Sequence, residues 1–360
     1  MCFFSCPEIP YLLLLLLPGT YNLYKFLLRI KIKTLDFNTT SPKNIAVVLL
    51  NLGGPERLED VEPFLFNLFS DRMIIRLGPA FMQKTIARFI SRRRAPKSSQ
   101  AYARIGGGSP LGKITADQAK ALENELSGYG PFKVDVAMRY WHPRAKETLG
   151  KLHRASIRRI IALPLYPHYS IATTGSSVTD LVEAGRLFSP AFEIASIDSW
   201  PVQPEYINAL AATIKQGAEL FAGEKLQVLY SAHSLPVKFI KEGDPYVEHL
   251  KLTIQAVESL TAMPGKLCFQ SRSGPVEWLS PSPPVMLEQL AKEGCKNVLM
   301  VPISFVSDHV ETLYEIDMLY REMAQDLGIR VERTPSLNCM PEFIDSLKAM
   351  VLKKTGELGW

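Results

Sequence analysis

Two short segments of this 360-residue chain collect side chains able to move protons and hold a divalent metal. One is Ser231-Ala232-His233-Ser234-Leu235-Pro236; the other is Ser307-Asp308-His309-Val310-Glu311-Thr312-Leu313-Tyr314-Glu315. A neutral imidazole accepts a proton near pH 7, and a carboxylate can carry it away. His233 falls just past an apolar run at 227–230, in a loop bounded by Pro236. Asp308, Glu311 and Glu315 recur at i, i+3 and i+7, so one helical stripe would carry all three, with His309 beside it. Asp308-x-x-Glu311 also fits a capping box with Asp in place of Ser or Thr. Such N and O donors suit a divalent metal in passage. A closed structural metal site is not indicated, because Cys2, Cys6, Cys268, Cys295 and Cys339 form no C-x-x-C pair. A Ser–His hydrolase would need G-x-S-x-G, which is missing from the sequence.

The elements that must position these groups show in the apolar pattern. Short runs at 45–50, 134–138, 159–163, 193–197, 227–230, 266–269, 297–301 and 330–332 alternate with helix-length amphipathic segments. Continuous apolar strands separated by helices predict parallel sheets covered on both faces. Four runs precede Pro201 and four follow Leu226, and the halves rhyme: Ile160-Ile161-Ala162-Leu163-Pro164 against Val298-Leu299-Met300-Val301-Pro302. The predicted fold class is therefore α/β. It has two similar Rossmann-like halves, each a four-stranded parallel sheet flanked by helices, facing each other across a cleft. Ligands in such sheets sit outside the carboxyl ends of the strands. The domain boundaries predicted are 44–200 for the first half, 201–225 for a linking helix, 226–350 for the second half and 351–360 for a tail. Gly107 to Lys113 satisfies G-x-x-x-x-G-K, but Ile114 stands where a P-loop needs Ser or Thr, so a tight backbone turn is expected.

Composition bounds the function. Apolar residues at 47% and charged residues at 21% exclude a disordered chain and a multi-span membrane protein. The net charge is +5, yet Arg72 to Ala116 holds ten basic residues and no acid, leaving the remainder at −5. One basic stripe on an acidic bulk argues against a nucleic-acid partner. Within that stripe a helix starting at Pro79 would place Met82, Ile86, Phe89 and Ile90 on one face, and Lys84, Arg88 and Arg92 on another. Arg93 and Arg94 extend the cationic side. Either the apolar face packs on the core, or the segment at 72–97 is a lip that lies on a membrane or admits an apolar anionic ligand. Residues 1–43 match neither a signal peptide nor a spanning helix, since Pro18-Gly19 and three cations interrupt the apolar run. They are read as an extension outside the core, either dispensable or an interfacial anchor.

Blocks at 51–55, 105–110, 139–143, 166–177, 231–236, 243–246, 270–279 and 307–317, in that order, resemble the ferrochelatases. These are class II chelatases, which insert Fe²⁺ into a porphyrin to make haem. The resemblance covers about residues 45–350 and implies a porphyrin cleft between the halves. It makes His233 the residue of pyrrole proton abstraction or metal contact, with Glu311 facing it as a second catalytic and metal-contacting group. Asp308, His309 and Glu315 would form a proton path or its surroundings; Leu319 stands where some relatives carry a further acid. Leu52, Ser109, Arg139, Tyr140, Tyr166 and Thr173 match pocket positions. Met82, Ile86, Phe89, Arg92, Arg93 and Arg94 match the lip through which an apolar tetrapyrrole enters.

The same resemblance implies protoporphyrin IX and Fe²⁺ as substrates, no resident cofactor, and haem with two protons as products. Ile171 occupies the position of a cluster cysteine in members that hold a [2Fe–2S] centre, so no cluster is predicted. A cytoplasmic, peripherally membrane-associated enzyme is expected, with handover from the preceding porphyrin-oxidising enzyme. The readings left open are insertion of Co²⁺, a coproporphyrin substrate, or a tetrapyrrole carrier without turnover. A carrier would need no base, which the His233 and Glu311 pair supplies.

Overall fold

Strands β1 (Ile45–Asn51), β2 (Phe132–Met138), β3 (Arg159–Pro164) and β4 (Glu193–Ser196) pair in the order β2-β1-β3-β4. Strands β5 (Gln227–His233), β6 (Gly265–Gln270), β7 (Asn297–Pro302) and β8 (Arg330–Arg333) repeat it as β6-β5-β7-β8. All pairings are parallel. The computed structural model describes residues 44–272 and 276–360, so the reading of 1–43 lies outside the described residues.

Period-two alternation sorts the apolar side chains between layers. Ile45, Val47 and Leu49 of β1 enter one core, while Ala46, Val48 and Leu50 enter another on the opposite face. In β7, Leu299 and Val301 join the first core, and Val298 and Met300 a third. The first core is common to both halves: it takes side chains from β1, β3, β5 and β7 and from the helices Pro204–Glu219 and Pro341–Leu358. The two sheets therefore share one apolar layer, and the cleft is confined to the edge where the strands end.

Three local expectations need correction. The strand at 227–230 runs on to His233, which is its last residue and not part of the following loop. The tail expected at 351–360 is the continuation of Pro341–Leu358, which packs on the helix Leu111–Leu126 and ties to it through Lys348 and Glu125, 3.0 Å apart. The helix expected to start at Pro79 opens with a 3₁₀ turn at Ala80–Met82, and the α-helix follows as Gln83–Arg104. The glycine-rich stretch is the tight turn anticipated. A Cβ on Gly108 would lie 2.0 Å from the Glu56 carbonyl oxygen, and Ser109 N–H donates to Pro55 C=O at 2.7 Å.

Candidate active site

In sheets of this strand order the crevice opens where neighbouring strands leave in opposite directions. For the second sheet that point lies between β5 and β7, and both predicted segments meet there. His233 ends β5, and the loop after β7 leads into a π-helix at Glu311–Tyr320. A cavity of about 1090 Å³ opens above them, lined from the loops after β1, β3, β5, β6 and β7 and from the basic helix. Its wall is largely apolar, with Leu52, Phe64, Leu65, Phe69, Ile74 and Phe305 among the contributors.

His233 is pinned on three sides. Its N–H donates to Ser304 Oγ at 2.9 Å, its C=O accepts from Tyr246 Oη at 2.9 Å, and Nδ1 lies 3.0 Å from Glu311 Oε2. With Nδ1–H committed to the carboxylate, Nε2 is the nitrogen left to meet a ligand. The side chain is 31% exposed, and the residue lines the cavity. Burial disfavours the imidazolium, but the charge and hydrogen bond of Glu311, with Glu315 behind it, outweigh burial and raise the His233 pKa. Burial likewise pushes Glu311 up, and His233 more than reverses it, so this carboxyl stays ionised.

Glu315 sits one π-turn on, and its Oε2 accepts from Ser271 Oγ at 2.7 Å and Tyr320 Oη at 3.2 Å. Burial and then the neighbouring Glu311 charge push its pKa up to about 7. Two carboxyls whose environments drive their pKa values apart can divide the labour of proton transfer. Glu311 holds charge beside His233, and Glu315 can gain or lose a proton near neutrality.

The π-helix changes the stripe read from sequence. Its i→i+5 bonding widens the turn and keeps Glu311 and Glu315 together, while Asp308 precedes the helix and so stands off the stripe. Asp308 accepts from Arg333 Nη1 at 3.1 Å, Ser336 Oγ at 2.8 Å and Asn338 Nδ2 at 2.8 Å. It does not line the cavity among the described residues. The cap is not the Asp308 carboxylate either: His309 Nδ1 accepts the Glu311 N–H at 3.1 Å. That bond leaves the proton on Nε2, and burial lowers the His309 pKa, so the ring is neutral. Phe305 packs against it, centroids 4.4 Å apart.

Leu52, Ser109 and Thr173 line the cavity, as do His309, Arg93 and Arg94. Arg139, Tyr140 and Tyr166, placed in the pocket wall by sequence, lie one layer behind it. Tyr140 Oη and Arg139 Nη2 donate to Asp71 Oδ2 at 2.7 and 2.8 Å, and Ser176 Oγ adds a third donor. A buried carboxylate requires such donors. Burial raises the Asp71 pKa, and Ser176, Tyr140 and Arg139 together bring it below the ordinary value. Tyr166 is buried in the core beside β3.

The lip departs from ordinary helix packing. The side of Gln83–Arg104 turned to the protein carries Gln83, Ala87 and Ser91, while Phe89 is 67% exposed and Met82 also faces out. Phe81, not singled out from sequence, is 84% exposed. Ile86 is half-buried, and Arg92 pairs with Glu62 at 3.3 Å on the surface. Exposed bulky apolar groups among cations mark an interaction surface. Other residues missed from sequence are Tyr102 and Tyr314 in the cavity wall, and Gln270, whose Nε2 donates to the Glu311 C=O at 3.1 Å. Their roles arise from contacts over long sequence separations, for which no local pattern exists.

The family model described as ferrochelatase matches residues 44–355. A ferrochelatase of Desulfotalea psychrophila is 57% identical over 309 residues, covering 86% of this chain and 97% of its own length. A ferrochelatase of Gloeothece citriformis is 44% identical, covering 87% of this chain and 83% of its own. Among solved structures, SirB from Bacillus subtilis with Fe³⁺ is 13% identical with a TM-score of 0.48, covering 87% of this chain and 97% of that one. On the family match and the 57% identity to a ferrochelatase over nearly its whole length, the chain belongs to the ferrochelatase family.

Proposed function

We propose that this protein inserts Fe²⁺ into protoporphyrin IX, releasing two protons and protohaem, as the last step of haem biosynthesis. The observation that carries the reading is the His233–Glu311 pair, 3.0 Å apart, at the floor of an apolar cavity whose rim holds Arg93 and Arg94. A planar apolar tetrapyrrole fits the wall, and cations at the rim suit its carboxylates. Binding the periphery can strain the macrocycle and expose its nitrogens, at a few kcal/mol. His233 Nε2 then takes pyrrole protons or meets the incoming metal. Glu311 balances the imidazolium, and Glu315 receives the proton. Arg139, Tyr140 and Tyr166 act by fixing the wall from behind.

Among the described residues no three His, Cys, Asp or Glu side chains converge on one metal position. Transient contact with the iron substrate suits His233 and Glu311 better than retention would. We read the enzyme as working without a [2Fe–2S] centre, on the support of Ile171, which opens a π-turn with its N–H on Asp244 Oδ2. Among the described residues no helix is long and apolar enough to cross a membrane. Peripheral attachment from the cytoplasmic side through Phe81, Met82, Phe89 and the flanking arginines, with porphyrin received from the preceding oxidising enzyme, accords with the lip's exposed face.

The test is anaerobic mixing of the purified protein with protoporphyrin IX and Fe²⁺, following loss of porphyrin fluorescence against a Glu311→Gln control. Catalytic loss in the wild type alone supports the reading. Binding without turnover, or turnover only with coproporphyrin or Co²⁺, overturns the substrate assignment.

A further inference from the structure

A β-strand sends successive side chains to opposite faces, so two neighbours at its end do not ordinarily serve one target. Gln270 is the last residue of β6, and Ser271 follows it with φ at 64°. Left-handed backbone is uncommon for a residue carrying a Cβ, and it collects where function holds it in place. Here it turns the Ser271 side chain back toward the helix that Gln270 already faces. Gln270 Nε2 donates to the Glu311 main-chain oxygen at 3.1 Å and reaches Glu311 Oε2 at 3.4 Å. Ser271 Oγ donates to Glu315 Oε2 at 2.7 Å. The amide is oriented from behind, because Ser231 Oγ on β5 donates to Gln270 Oε1. Its oxygen is thereby occupied, and its NH₂ is the end turned to the carboxylate.

We propose that Gln270 and Ser271 are positioning residues for metal insertion, a pair of neutral donors that hold the Glu311 and Glu315 carboxylates in register on one wall of the cavity. The proposal rests on the reading of His233 and Glu311 as the acting pair. Neutral donors are what that task needs. An ammonium or guanidinium in the same place would form a charge-assisted bond and draw Glu311 away from His233. An amide and a hydroxyl fix direction and leave the charge free to act on the imidazole. The backbone points the same way: glycine would adopt φ at 64° without strain, so what serine contributes there is its hydroxyl.

Ser271→Gly separates the two roles. It relaxes the backbone and deletes the donor, so the melting temperature should hold or rise. The kcat for iron insertion should fall roughly tenfold or more, the range seen when an outer partner of a metal-site ligand is lost, with the porphyrin KM within about twofold of wild type. Ser271→Asn, which tolerates left-handed backbone and restores a donor, should recover most of that loss. Gln270→Leu should reproduce the kcat defect. Wild-type kcat in Ser271→Gly and Gln270→Leu overturns the proposal. So does a defect that tracks a falling melting temperature, or one that Ser271→Asn leaves untouched. Glu311→Gln run alongside separates the levels: full activity there removes the underlying site, whereas its inactivity beside an active Ser271→Gly removes this proposal alone.

Discussion

His233 and Glu311 lie 78 positions apart in sequence and meet at 3.0 Å, Nδ1 to Oε2. The contact sets both the tautomer of the histidine and the charge of the carboxylate. It also couples the two side chains, so the double substitution of His233 and Glu311 should depart from the sum of the two singles.

Replacing His233 by Ala should lower kcat by about 10² or more, the range for loss of a positioned base. Porphyrin affinity, set by the apolar wall, should change little. Stopped-flow insertion alongside porphyrin fluorescence titration checks the split. Turnover retained within a few-fold would remove His233 from the mechanism.

The pH dependence follows from Glu315. Its folded pKa is raised to about 7, first by burial and then by Glu311, so the folded protein holds a proton that the unfolded chain releases at the ordinary glutamate value. Stability from this group is therefore present at low pH and lost as pH rises toward about 7. His233, also raised, contributes with the same sign. Glu315→Gln should match wild type in melting temperature at acid pH and exceed it above neutrality. An unchanged difference across that window would contradict the burial assigned to this carboxyl.

Arg333 holds Asp308 at 3.1 Å and Asp317 at 2.7 Å, bracketing the first half of the π-helix. Arg333→Met should leave two part-buried carboxylates without their cation and cost about 3–5 kcal/mol. Urea unfolding measures it. A cost under 1 kcal/mol would show that the carboxylates rehydrate freely.

For the lip, changing Arg92, Arg93 and Arg94 to Ser should weaken binding to anionic vesicles by about 1 kcal/mol per cation, on the order of 100-fold together at low salt. Phe81→Ser with Phe89→Ser should weaken binding to neutral vesicles as well. Cosedimentation unchanged in both variants would rule out this surface as the attachment site.

What sequence made legible follows from where the information lies. The central strands were legible because they are runs of apolar residues closed by a turn or cap, as in Ile45–Asn51 and Asn297–Pro302, whereas the edge strands Glu193–Ser196 and Arg330–Arg333 show as short segments with one or two apolar residues at the expected spacing. His233, Glu311 and Glu315 stood out because their residue types are rare in such surroundings. The end of β5 was misplaced because Ser231 and His233 are polar, yet their ladder to Cys268 and Gln270 continues the strand. The donors on Asp71 and the Gln270–Glu311 bond depend on partners tens of residues away, which no local periodicity encodes, and the π-turn's i→i+5 spacing leaves no residue-type signature.

The apolar layer common to both sheets governs how a large flat substrate gets in and its product out. Two lobes that share one interior cannot swing open like a shell, since parting them would wet Leu49, Tyr230 and Val301 together. Admission is then left to the mouth, and the helix beside it is itself held: Gln83 Nε2 donates to Phe69 C=O at 2.8 Å and to Ile75 C=O at 2.9 Å, and Ala87 and Tyr102 pack in an apolar cluster with Phe64 and Phe69. The protein is a vise with its jaws welded at the back, open to its substrate only at the mouth. Amide exchange should accordingly be slow through β1 and β5 and fastest at the mouth in the exposed turn Ala80–Met82, with the contrast narrowing when a porphyrin fills the gap.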